Sequence, residues 1–288
     1  MTGSALHLKP TGTAVAAARQ ENFPVASRLM GPAVRPHVMR FYAFARAADD
    51  IADDPALAPE EKLERLARFR GALTGSLPPA EVPEAAALRA TLDETGVSSD
   101  HALALLDAFE HDATCPRTRS WAALLDYCRL SANPVGRMVL DLHGEGARTR
   151  GPSDALCTAL QILNHLQDCG EDYRRLGRIY LPADWLAEEG VPEGALAAPA
   201  ASPALGRVLE RTLVATNELL RAAAPLPAAI GNRRLALEAA VILRLARALA
   251  SRLKGADPIA DRVRVGRGAM AALGLSAAIQ EGWARVCR

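Results

Sequence analysis

The stretch Asn164–Pro182 reads NHLQDCGEDYRRLGRIYLP. Within it Asp168 and Asp172 lie four residues apart, a spacing that stacks them on one face of a helix. Asn164 precedes Asp168 by four positions and Gln161 precedes Asn164 by three. Gln161, Asn164, Asp168 and Asp172 therefore form one polar stripe, with Leu160, Leu163 and Leu166 supplying the apolar part of the helix. Gly177 is expected to stop this helix, and Arg174 and Arg175 suit its last turn. Asp172 then sits near the negative end of the helix dipole, where an acid is disfavoured by about 0.3–1 kcal/mol. An acid in that position needs a compensating cation. The stretch alone leaves two readings open: carboxylates that grip a metal ion, or a solvated acidic face paired with Arg174 and Arg175.

A second stretch repeats the pattern. Phe41–Asp54 reads FYAFARAADDIADD and is followed by Pro55. Asp49 and Asp53 are again four apart, Asp50 and Asp54 run parallel to them, and Tyr42 and Arg46 lie on the same side. Pro55 disfavours further helix, so this acid cluster also crowds a helix C-terminus. Two helices thus place acids at the same unfavourable end. Together they offer the facing carboxylates that a hard divalent cation and a phosphate group require. Mg²⁺ takes oxygen ligands, keeps several waters and is often shared between carboxylates and substrate phosphates.

The rest of the chain supports a helical protein. Its 288 residues allow one large domain or two small ones, and half of them are hydrophobic. Aromatics make up only 4% while alanine is abundant, a mix that favours closely packed helices over sheets. The 34 basic and 33 acidic side chains nearly cancel, and no basic run is interleaved with aromatics, which argues against nucleic acid as a partner. Five cysteines without a C-x-x-C pair read as reduced thiols of a cytosolic protein. Cys169, between the key acids, reads as a small buried thiol rather than a nucleophile. The six histidines show no zinc-ligand spacing, and Glu110-His111-Asp112 reads as a surface patch. No signal peptide or membrane-spanning run is visible, and no G-x-G-x-x-G or P-loop motif occurs.

Along the chain, residues 1–20 are expected to be a flexible lead-in to one all-helical domain over 21–288. Helices are predicted over Arg35–Asp53, Pro59–Gly75, Glu84–Thr95 and Asp100–Ala113, with Pro78–Pro83 as a loop. A long helix is expected from Trp121 to Gly144, capped by Ser120 and kinked at Pro134 and Gly136. The small residues Ser131, Ala132 and Gly136 leave room for a ligand or a second helix. Read from its surroundings alone, Tyr127 is an ordinary core tyrosine with its hydroxyl satisfied. Ser153 is the expected cap of the helix that carries Asp168 and Asp172, and Arg178–Pro182 is a strand-like or loop passage. An Ala/Pro-rich linker, Val191–Pro203, leads to helices over Ala204–Ala224, Ala228–Lys254 with a break at Gly231, and Arg267–Arg285.

In their order and spacing these residues resemble the squalene/phytoene synthase family, a branch of the all-α isoprenoid synthases. Tyr42, Arg46, Asp49-Asp50 and Asp53 match its first aspartate-rich motif. Gln161, Asn164, Asp168 and Asp172, followed by Gly177–Pro182, match its second, and Tyr127-Cys128 through Val135-Gly136 match its middle tyrosine motif. The resemblance implies a helical bundle around a central apolar cavity, lined by residues such as Phe23, Phe41, Val135, Met138, Val139 and Leu160. It implies several Mg²⁺ ions held by Asp49, Asp53, Asn164, Asp168 and Asp172 and bridging a prenyl diphosphate. Phe23, Tyr42, Arg46, Gln161, Asn164, Arg178 and Tyr180 are then substrate contacts, and Tyr127 a catalytic group.

Within the family, ENFPVAS (Glu21–Ser27) and YCRLSANPVGR (Tyr127–Arg137) resemble a bacterial branch of hopanoid pathways. That branch ionises presqualene diphosphate and adds water to give hydroxysqualene. Ala132-Asn133-Pro134 stands where condensing members carry a smaller V-A-G type sequence. Two alternatives remain: head-to-head condensation of farnesyl or geranylgeranyl diphosphates to presqualene diphosphate, squalene or phytoene, and a non-catalytic assembly factor on the same fold. NADPH is not indicated. A cytoplasmic protein with a peripheral contact at the inner face of the membrane is compatible with the chain, and its oligomeric state is left open.

Overall fold

A computed structural model describes residues 30–261 and 263–265. The lead-in over 1–20, the ENFPVAS segment with Phe23, and the helix expected over Arg267–Arg285 lie outside them. The described residues form an all-α structure with no strand, only an isolated bridge between Arg117 and Ile179. Four helices come first: α1 (Arg35–Ala52), α2 (Pro59–Thr74), α3 (Pro83–Thr95) and α4 (Asp100–Thr114). Prolines open α2 and α3, where the missing N–H costs nothing; Pro83 therefore begins a helix instead of ending a loop. Phe44, Leu66, Leu88, Leu105 and Leu106 are fully buried where these four helices pack together.

The second half is built around α7 (Arg150–Leu176), which packs against α9 (Pro203–Ala222), α11 (Arg233–Leu253), α5 (Trp121–Ser131) and α6 (Asn133–Leu142). Leu124, Ile162, Leu163, Leu205 and Leu220 are among the fully buried side chains there. Two short helices, α8 (Ala183–Glu188) and α10 (Leu226–Ala229), and a 3-10 turn at Glu193–Ala197 complete it. The segment expected to be a plain linker thus carries a turn whose Leu196 is buried. Asn232 caps α11 after the break near Gly231 by accepting from Arg234 and Leu235 backbone N–H groups.

Two expectations are corrected. The long helix over Trp121–Gly144 is two helices, interrupted at Ala132 (φ −120°, ψ −48°). Pro134 cannot donate to the Leu130 carbonyl and clashes with it, so the ladder breaks rather than bends. Nor is Ser153 a cap. α7 starts at Arg150, out of a 3-10 turn at Ala147–Thr149, and Ser153 is buried one turn inside. Pro152 is tolerated in the first turn of a helix, so it does not mark the outside of this one.

α1 and α7 make no extended contact with each other; α4 and α6 lie between them and tie the halves together. The small residue at Gly136 serves a second helix. A Cβ there would meet Cys157 Sγ and Ser153 Oγ of α7 at 2.6 Å. Gly136→Ala is therefore expected to lower stability by about 1–3 kcal/mol through overpacking. Thermal melting of the two proteins checks this, and an unchanged midpoint would mean that α6 and α7 are not this close in solution.

Candidate active site

Between residues 155 and 170 of α7, every side chain is buried except Cys157, Leu160, Gln161, Asn164 and Asp168. These lie on one helical stripe, which Asp172 continues. A helix surrounded by protein on all faces but one stripe borders a recess. Along the stripe the chemistry changes from thiol and leucine, through two amides, to two carboxylates. The carboxylates stand close to the helix end, which Gly177 closes in the left-handed conformation (φ 64°).

The acids of α1 come to the same place. Arg178, only 5% exposed, donates to Asp53 through Nη1 and to the Ala52 carbonyl through Nη2 at 2.7 Å. Arg175 Nη2 donates to the other Asp53 oxygen at 3.1 Å. Arg175 therefore reaches across to α1 instead of serving a solvated acidic face on its own helix. Arg46 pairs with Asp49 at 3.3 Å and with Asp50 at 2.5 Å. Arg178 and Arg46, expected to contact substrate, thus both hold carboxylates of the first acid row.

The electrostatics record the crowding. Burial, then the charges of Asp168 and Asp53, push the Asp172 carboxyl up to about 7 against the pull of Arg178 and Arg175. Burial and Asp53 likewise raise Asp49, against Arg46. Asp49 still keeps 35% of its side-chain surface. The carboxylate is thus crowded by protein and still accessible. Asp53 lies within electrostatic reach of Asp49 on one side and Asp172 on the other. Among the described residues no three His, Cys, Asp or Glu side chains are gathered closely enough to hold a metal ion alone.

The expected wall of the cavity is partly revised. Tyr42, Val139 and Leu160 keep partial exposure, and Val135 is 42% exposed. Phe41 and Met138 are instead buried in the core shared by α1–α4. The four described cysteines are free, and burial pushes the Cys169 thiol up to about 12, which suits a packing residue. No described helix is long and apolar enough to cross a membrane.

Two residues of the site escape the sequence reading. Asp112 is not part of a surface patch: it is buried, and it accepts from Tyr127 Oη at 2.7 Å and Tyr180 Oη at 3.1 Å. Glu110, its neighbour, pairs outward with Arg70. The signal was present, because Asp112 continues the buried row of His101, Leu105, Ala108 and Phe109 along α4. His165 is buried against Tyr180, with ring centroids 3.7 Å apart and planes 19° from parallel. Burial, helped by the charge of Arg178, pulls its pKa down to about 3 and keeps the ring neutral. Gln161 Nε2 lies 3.3 Å from His165 Nε2. Tyr127 is a buried tyrosine whose hydroxyl is paired with a buried acid.

The squalene/phytoene synthase family profile matches residues 16–269. The chain is 45% identical over 247 residues to the hydroxysqualene synthase of Zymomonas mobilis subsp. mobilis, covering 85% of this chain and 82% of that one. It is 46% identical over 247 residues to the hydroxysqualene synthase of Rhodopseudomonas palustris, covering 86% and 84%. The crystal structure of squalene synthase HpnC from Alicyclobacillus acidocaldarius superposes with a TM-score of 0.72 at 30% identity, over 84% of this chain and 92% of that one. With two acid rows converging on one recess and relatives matched along most of its length, the chain belongs to the squalene/phytoene synthase family.

Proposed function

We propose that this protein ionises presqualene diphosphate and lets water capture the cation, giving hydroxysqualene for squalene and hopanoid biosynthesis. The observation that carries the reading is the convergence of Asp49 and Asp53 with Asp168 and Asp172 around a recess that turns apolar along α7. Its chemistry agrees with the named activity of the hydroxysqualene synthases to which the chain is 45–46% identical.

The donor set fits magnesium. Asp49, Asp53, Asn164, Asp168 and Asp172 offer only hard oxygen ligands, and crowding has raised two of the carboxylates. Acids divided between two helices that do not pack together suit ions shared with a bound phosphate better than a closed protein cage. Mg²⁺, when bound, neutralises the charge that grows on the departing diphosphate. The chain's own residues do the rest. Arg46 and Arg178 hold the first acid row in place. Tyr42, Val139 and Leu160 supply apolar surface for the prenyl tails, and Gln161 and Asn164 mark where that surface turns polar. The C–O bond to diphosphate breaks with its electron pair on the leaving group. A water oxygen then forms a new C–O bond and loses a proton. No electrons are exchanged with a cofactor, so NADPH has no role. In this reading residues 21–288 act as one domain, in the cytoplasm. They draw a two-tailed substrate from the inner face of the membrane by peripheral contact.

Purified protein given presqualene diphosphate and Mg²⁺ without NADPH is expected to yield hydroxysqualene whose oxygen comes from labelled water. Formation of presqualene diphosphate from farnesyl diphosphate, with no alcohol, would overturn the reading. Asp168→Ala is expected to cut diphosphate release about 100-fold or more while the far-UV circular dichroism stays that of a helical protein; full turnover would remove Asp168 from its role.

The raised Asp172 has a second consequence. Below pH 4 its carboxyl is protonated in both folded and unfolded chains. Between pH 4 and 7 the folded chain binds more protons, so stability of the metal-free protein falls as pH rises, and above about 7 the full penalty is present. Asp172→Asn is expected to flatten that decline and to gain ~1–2 kcal/mol at pH 8, allowing for solvent screening of a partly exposed group. Melting curves from pH 4 to 8 read this directly, and parallel wild-type and variant profiles would refute it.

A further inference from the structure

Asp112 lies beyond the two acid rows, at the end of α4, and both of its oxygens are occupied by tyrosines. A phenol has one hydrogen to donate and two lone pairs with which to accept. Tyr127 and Tyr180 both donate to Asp112 and lie within hydrogen-bonding reach of one another, so what each oxygen keeps for a further partner is a lone pair. Their rings stand 5.4 Å apart. His165, stacked on Tyr180 and 6.0 Å from Tyr127, adds a third π surface. Tyr180 and Gln161 keep partial exposure, so this cluster borders the stripe of α7 and is not sealed inside the core. Burial pushes the Asp112 carboxyl up, while Arg178, which also holds Asp53, pulls it back. The result is an aromatic cluster, rich in acceptors, that meets the polar stripe of α7 at Gln161.

We propose that Asp112 is a positioning residue that fixes Tyr127 and Tyr180 as acceptors and thereby orients the water that captures the cation. A water that donates a hydrogen to the Tyr127 oxygen turns its own lone pair away from that bond, toward the cationic carbon. As the water oxygen bonds to carbon, its hydrogen passes to Tyr127 and the Tyr127 hydrogen passes to Asp112. The products are the alcohol, a neutral tyrosine and a protonated Asp112. Without that fixed acceptor the cation loses a proton from a neighbouring carbon instead, and a polyene results. The inference rests on the water-quenching reading above and deepens it.

Asp112→Asn separates the roles. The amide accepts from one tyrosine but donates to the other, which frees a phenolic hydrogen to point into the recess and turns an acceptor into a donor. With presqualene diphosphate and Mg²⁺, the variant is expected to keep KM and diphosphate release within about 3-fold of wild type. Its hydroxysqualene share should fall about 10-fold, with polyenes making up the difference. Wild-type protein that makes hydroxysqualene beside an Asp112→Asn variant with the same product ratio would overturn this inference alone. Wild-type protein that makes no hydroxysqualene would overturn the parent reading as well. Should the Asp112→Asn variant fail to fold, Tyr127→Phe leaves the acid in place and removes the acceptor to which the water donates. A partial shift toward polyenes is then expected, and an unchanged ratio refutes the proposal.

Discussion

Everything at the site depends on one crossing of charge: Arg178 and Arg175, from the end of α7, hold Asp53 at the end of α1. Both helices terminate there, so each adds the partial negative charge of its dipole to a place already crowded with carboxylates. Unit charges about 4 Å apart repel by ~4 kcal/mol at the effective dielectric near a protein surface. Left alone, the two ends would move apart. Arg178 prevents this because it is buried and also bonds the Ala52 carbonyl, which fixes it against backbone and not only against a side chain. Its loss would leave Asp53 without its buried partner, and breaking such a pair is far costlier than never having built it.

The rest of the fold makes that arrangement tolerable. α1–α4 bury Phe44, Leu66, Leu88, Leu105 and Leu106, and the α5–α7–α9–α11 group buries Leu124, Ile162, Leu163, Leu205 and Leu220. Full burial of one such side chain contributes about 1.5–3 kcal/mol. The packing also explains why the recess stays open. α1 and α7 each face a different core, and α4 and α6 set the distance between them. The carboxylates are thus held near one another by elements that do not include a direct contact between their own helices.

Both acid rows and the helices beneath them were legible because their signals are local. A four-residue spacing, a glycine at the end and a proline after it are all that Asp168, Asp172, Asp49 and Asp53 required. What was not legible depends on partners far away in the chain. Asp112 looks like surface beside Glu110 and His111, and only Tyr127 and Tyr180, 15 and 68 residues on, make it an interior acceptor. Arg175 fits a helix end by sequence, yet its partner is 122 residues earlier. The break at Ala132 has a different reason: a proline inside an apparent helix reads as a kink, whereas here it opens a new helix at Asn133. A serine after proline resembles a cap, and nothing local reveals that α6 presses on Ser153 through Gly136.

The order of chemistry along α7 fixes which way a substrate lies. Carboxylates occupy the C-terminal turns, amides come next, and Leu160 and Cys157 follow. From Asp168 back to Cys157 is about 17 Å of helix at 1.5 Å per residue. On the proposed reading, a diphosphate held at the acids sends its tails toward the N-terminal end of α7. Close to that end, Gly136 brings α6 against Cys157 and Ser153, with no room for a methyl group. The close approach that packs the two helices also limits how far a tail can run between them. Depth at one end and charge at the other arise from the same helix, so a change that shifts α7 lengthwise would alter chain-length preference and diphosphate grip together.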